Sequence, residues 1–183
     1  MESYLTSVIK QFEYYKSLGD KTFKDLSFKE LQKEFAQNFN SITIIVKHLA
    51  GNMLSRWTNF LIEDGEKVWR HRDAEFEDSF ISKNEMLDEW NKGWKCLFDA
   101  IRPLNEKDLE DIIYIRNQGH TVTEAINRQL AHYAYHVGQI VFLGKLLKGE
   151  DWQSLSIPKG DSKKYNTEKF SKDKGRRHFT DDL

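Results

Sequence analysis

Apolar residues return at intervals of three and four along most of this chain, a spacing that turns one stripe of a helix toward a core. Over residues 2–18 the stripe is Leu5, Val8, Ile9, Phe12, Tyr15 and Leu18, and Gly19 just past it reads as a stop signal. Residues 20–40 are more polar and read as a connection with a short helix at 28–35. Ser41 has the place of an N-cap, opening a second helix over 42–61 with Ile42, Ile45, Val46, Leu49 and Met53 on one face. A third helix starts at a capping-box pattern, Ser82 with Glu85, and carries Met86, Trp90, Trp94, Leu97, Phe98 and Ile101 as its buried face. It ends at Arg102, because a residue before proline is pushed out of the helical region. Thr121 and Glu124 repeat the capping box ahead of a fourth helix, 122–148, which Gly149 closes.

The segments between these helices are long. Residues 63–80 crowd charge and aromatics together, including Trp69, Arg70, His71, Arg72, Asp73 and Glu75. His71, Asp73 and Glu75 have metal-ligand chemistry, but charges of both signs in alternation favour a network that pins the loop. Residues 104–120 read as a connection, with one helical turn at 106–110 and an extended run at 112–116. Four long helices make an all-α protein, and a four-helix bundle is its natural architecture. Connections of roughly 20 residues exceed the usual 2–8 between bundle neighbours, so the order and handedness of the helices stay open.

Composition narrows the class. Two prolines and ten glycines in 183 residues leave little to interrupt long helices, and 39% hydrophobic with 31% charged residues suits a globular chain with a real core. A net charge of −1 gives no electrostatic reason to expect nucleic acid. From residue 159 on, eight Lys and Arg face five Asp and Glu, a net of +3 that leaves −4 for the rest. The expected division is therefore a bundle domain over 1–158 and a polar, mildly basic tail over 159–183, whose composition leaves room for disorder. Cys96 is the only cysteine, which fits a reducing compartment, and it lies in an apolar helix with no sign of a base to activate it. No segment approaches the ~18 apolar residues of a membrane span, and the expected location is cytoplasmic.

The candidate chemistry lies in the fourth helix. His132 and His136 are four residues apart on one helix face, so their imidazoles can reach one ion. A zincin needs glutamate directly after the first histidine, and here it is Tyr133. Ferritin-like di-iron centres need Glu-x-x-His on two helices, which is absent from the chain, and no haem-attachment motif occurs. What remains is a mononuclear site completed from another helix. His48 is the one other histidine in the middle of a long apolar helix, although such a residue more often packs in a core or at a surface than binds metal. Asn52, Arg56, Gln129 and Gln139 fall on helical steps from these histidines and are candidates to line a pocket. Trp90, Trp94, Phe98, Tyr133 and Tyr135 read as core and dimer packing.

Taken together, these stretches carry a resemblance. His48 in Ile-Ile-Val-Lys-His-Leu-Ala-Gly-Asn-Met, and His132-Tyr-Ala-Tyr-His136 followed by Val-Gly-Gln-Ile, resemble the DinB-like (DinB/YfiT) superfamily. The loop Trp-Arg-His-Arg-Asp-Ala-Glu-Phe at 69–76 and the run Glu-Ala-Ile-Asn-Arg-Gln-Leu-Ala-His at 124–132 resemble an uncharacterised bacterial branch of it. Over residues 1–158 the resemblance implies an up-down-down-up four-helix bundle, often a homodimer, with nickel, zinc or a similar divalent ion on His48, His132 and His136. Relatives of that kind include metal-dependent hydrolases and transferases that use low-molecular-weight thiols. The implied partner is a small-molecule substrate, and neither nucleic acid nor membrane is expected. The rival expectation is a non-catalytic dimeric stress or interaction module whose metal site is structural or vestigial.

Overall fold

A computed structural model describes residues 2–181. The chain is mostly helical, with helices α1 (Glu2–Lys24), α2 (Phe28–Leu31), α3 (Ile42–Trp57), α4 (Lys83–Ile101), α5 (Val122–Lys148) and α6 (Ser162–Phe170). One small antiparallel sheet joins β1 (Ile112–Ile115) to β2 (Gln118–Thr121), pairing Ile112 with Thr121 and Ile115 with Gln118. The four long helices share one core: α3 lies against α4 and α5, and α1 lies against α5 and α4. No helix among the described residues is long and apolar enough to cross a membrane.

The stripes pack as their spacing predicts. Phe12 of α1, Leu49 and Met53 of α3, Trp90 and Trp94 of α4, and Tyr133 and Val137 of α5 are buried in one cluster. Fully burying a large apolar side chain stabilises the fold by about 1.5–3 kcal/mol, so these faces, more than helix propensity, hold the helices in place. Aromatic edges meet at the centre, with Trp94 at 5.3 Å from Trp90 and 5.8 Å from Tyr133 between ring centroids. Tyr135, two residues on from Tyr133, lies on another face of α5 and is 62% exposed, outside the core.

Three boundaries also differ from the sequence reading. Helix α1 does not stop at Gly19 but continues to Lys24, because its buried face continues through Thr22 and Phe23. Gly19 is there for space: a Cβ on it would lie 2.5 Å from Trp90 Cζ2. Next to it, Asp20 accepts the Trp90 indole N–H at 2.8 Å. Helix α2 is a single capped turn, ending at Leu31 rather than at residue 35. Helix α3 ends at Trp57 rather than at 61, since Thr58 is extended and Asn59 is left-handed at φ 50°.

The caps follow the letters more closely. Ser41, Ser82 and Thr121 each accept an N–H from the first turn of their helix, and Thr121 with Glu124 forms the full reciprocal box. In α4 the box is shifted, as Glu85 accepts the N–H of Ile81 instead of Ser82. The extended run at 112–116 gains a partner that the sequence did not announce. Its turn is Arg116-Asn117, both at positive φ (56° and 60°), and the Asp64 carboxylate stabilises it by accepting both backbone N–H groups at 2.8 Å. The tail over 159–181 forms α6 and returns to α1, where Lys10 pairs with Asp181, Ser7 meets His178 at 3.1 Å and Tyr14 meets the edge of Phe179.

Candidate metal centre

Helix α3 supplies His48 and helix α5 supplies His132 and His136, and their nearest ring nitrogens all lie within 4.8 Å of one another. The Nε2 atoms of His48 and His132 are 3.4 Å apart. Two ligands about 2.0–2.1 Å from one zinc ion at a tetrahedral angle would be roughly 3.3–3.4 Å apart, so the pair already has the spacing of a chelate.

The far side of two of these rings is occupied, which fixes what the near side offers. The Glu75 carboxylate can only accept, and it accepts a hydrogen bond from His48 Nδ1–H at 2.9 Å. The Gln139 side-chain oxygen accepts from His136 Nδ1 at 2.7 Å. Both rings therefore present an unprotonated Nε2 toward the cluster, the arrangement in which outer partners orient metal-binding imidazoles. Phe76 stacks on His48 at 5.1 Å and closes that ring from the other side.

Two of the three rings, both on α5, are kept uncharged. Burial lowers the pKa of His132 to about 3, helped by the neighbouring His136 and His48 rings and by Arg56 and Arg70. Burial also pushes His136 down, against the opposing effect of its hydrogen bond to Gln139. Neutral imidazole is the ligand form, so no proton has to leave these rings before a cation binds. Against the cost of its burial, hydrogen bonds from His48 and Arg70 hold the Glu75 carboxyl below the usual range, so it stays an anion.

Glu75 comes from the loop between α3 and α4. A 3-10 turn, Asp73–Phe76, swings it inward while His71 and Asp73 stay exposed, so those three residues form no cluster of their own. Arg70, buried alongside, grips Glu75 through Nε and Nη2 at 2.7 and 2.9 Å. Lys47 of α3 donates to the carbonyls of Ala74 and Glu77, and Thr43 donates to Asp78 at 2.9 Å. Gly51 completes the fit, since a Cβ there would lie 2.4 Å from Glu75 Oε1. The loop is thus the pinned network that its alternating charges predict.

Beside the histidines opens a cavity of about 260 Å³, walled by His48, His132, Asn52, Arg56 and Gln129 and by further arginines. Three of the four candidate pocket residues therefore line it. Gln139 does not, and instead orients His136. Asn52 is held in turn: Trp57 donates to the Tyr133 hydroxyl at 3.0 Å, which donates to Asn52 Oδ1 at 3.1 Å. Cys96 lies apart from the cluster, beside Thr58 at 3.5 Å, and burial raises its thiol pKa. Sequence reasoning missed Arg70, Arg72, Arg116 and Arg128 in the cavity wall. Arg128 was within reach, one helical step of four before His132. The others sit on a loop and a hairpin turn, where no periodicity points inward.

No curated protein and no solved structure matches the chain. One sequence family does, over residues 1–161, and by that match the chain belongs to the family described as protein of unknown function (DUF1572).

Proposed function

We propose that this protein is a divalent-metal-dependent enzyme built on a four-helix bundle of the DinB/YfiT type, with the ion held by His48, His132 and His136. The observation that carries this reading is the outward bonding of the histidines. Glu75 and Gln139 occupy Nδ1 of His48 and His136, leaving Nε2 of each free to face a common point with His132. Three nitrogen donors without a carboxylate fit nickel or zinc better than calcium or magnesium, which favour oxygen. Held by three neutral ligands, such an ion keeps an open position and acts as a Lewis acid on a water or a low-molecular-weight thiol. The chain's own part is to hold His132 and His136 neutral, to orient His48 and His136 through Glu75 and Gln139, and to present Asn52, Arg56 and Gln129 to whatever enters beside them.

The reading includes a homodimer. Tyr135, Phe142 and Leu146, spaced by seven and four along α5, are 62%, 65% and 52% exposed, an apolar stripe of the sort that pairs helices between subunits.

Metal analysis of protein purified without a histidine tag tests the centre: about one nickel or zinc per chain in the parent, and little in the His132→Ala variant. Consumption of a thiol with a model electrophile, and hydrolysis of a model ester, then test the activity on metal-loaded protein. If the parent binds metal but is as inactive as the variant in both assays, the non-catalytic module replaces the enzyme.

A further inference from the structure

The cavity beside the histidines holds positive charge that the chain does not cancel. Arg56, Arg70, Arg72, Arg116 and Arg128 all line it. The carboxylates that reach them are Glu66, shared by Arg56, Arg70 and Arg116, and Glu75, held by Arg70. Five guanidinium groups against these two leave +3, and counting Asp64 on the Arg116 backbone still leaves +2, in a protein whose total is −1. Arg72 and Arg128 make no ion pair among the described residues. Arg72 lies over the Phe76 ring, and Arg128 faces His120 Nε2 at 3.4 Å.

A separate observation points to the same place. Two buried polar atoms of the cavity wall have no hydrogen-bond partner: Arg56 Nε, on a residue 7% exposed, and Gln129 Oε1, on a residue 3% exposed. A buried donor left unpaired is costly, and the Gln129 amide can turn to offer its NH2 instead of its oxygen. With the amide so turned, an anion drawn against these two residues would offer each the acceptor it lacks. Guanidinium groups match the planar oxygen pair of a carboxylate and the edge of a phosphate alike.

We infer that this cavity binds the oxyanion group, carboxylate or phosphate, of a small substrate, with Arg72 and Arg128 free to grip it and Arg56 and Gln129 completing the cradle. That the ligand is a substrate rests on the metal-enzyme reading above. The anion site itself rests on the arginines. At about 260 Å³ the space suits an acid or phosphate ester of a few carbons.

The test uses the full chain stripped of metal, so that no ion can bind the anion directly. Calorimetric titrations with succinate and with inorganic phosphate at low ionic strength should give one saturable site, weakened by added salt. The probe that binds more tightly identifies carboxylate or phosphate as the source. Arg72→Gln combined with Arg128→Gln, both at exposed positions, should weaken that binding at least tenfold with an unchanged circular dichroism spectrum. Nickel should still bind this double variant at the parent's stoichiometry. Unaltered anion affinity in the double variant, or no saturable binding of either probe by the parent, overturns the inference. Nickel binding without anion binding removes this inference alone; anion binding without nickel binding removes the metal centre and leaves the anion site standing.

Discussion

At the scale of single residues, the site depends on Glu75 as much as on the imidazoles it serves. Its carboxylate fixes the tautomer of His48 and sets the ring's angle. Partners of this kind typically affect metal affinity about 10–100-fold, so Glu75→Gln should weaken nickel binding by that order in a calorimetric titration while leaving its stoichiometry at one. His132 gives a second expectation, for the metal-free protein. Its pKa falls from the ordinary 6.5 to about 3 on folding. The unfolded chain therefore takes up the proton first as pH drops, and folding is favoured less with every step. The stability linked to this ring is complete above about pH 6.5 and is lost progressively toward pH 3. Thermal melts of the metal-free protein across that window should show the decline, and His132→Gln should flatten part of it. The histidines were legible in the sequence because a helix converts a spacing of four into a shared face. Glu75 was legible only as a charged loop residue, since nothing in its neighbours' pattern tells which of Asp73, Glu75 and His71 turns inward.

At the scale of elements, the long helices could be read from their stripes and caps, because burial of one face and satisfaction of the first N–H groups are local and periodic demands. What could not be read were the places where another element decides the outcome. Gly19 looks like a terminus until Trp90 is set against it, and Arg116-Asn117 lacks the glycine that usually marks such a turn because Asp64, far away in the chain, stabilises it. Gly51 belongs to the same class. In mid-helix it costs about 1 kcal/mol relative to alanine, yet a methyl group there would displace the Glu75 carboxylate. Gly51→Ala should accordingly leave the helical circular dichroism signal intact and reduce nickel affinity about tenfold or more, with a double-mutant cycle against Glu75→Gln showing that the two losses do not add.

At the scale of the whole molecule, the apolar stripe on α5 is a surface at odds with water on a long, regular helix. Phe142→Glu places a charge in its middle. Sedimentation velocity should find the parent as a dimer and this variant as a monomer, with nickel still bound, because residue 142 is not among the cavity's walls. The tail does not compete for that surface, since its contacts run to α1 through Lys10, Ser7 and Tyr14.

The anchoring of Glu75 ties the cation to the chain's longest irregular stretch. The segment between α3 and α4 is rooted in the core near its two ends by Phe60 and Phe80, but between them Leu61, Ile62, Val68 and Trp69 are all exposed, and charged contacts hold that stretch down. Such a segment breathes on its own account, with an opening free energy below that of the helices. A cation engaging His48 would favour the closed form, so loading the centre should slow amide deuterium uptake between residues 58 and 81 while the buried turns of α4 stay as protected as before. The loop would then act as a clasp, reporting in its own motion whether the metal is home.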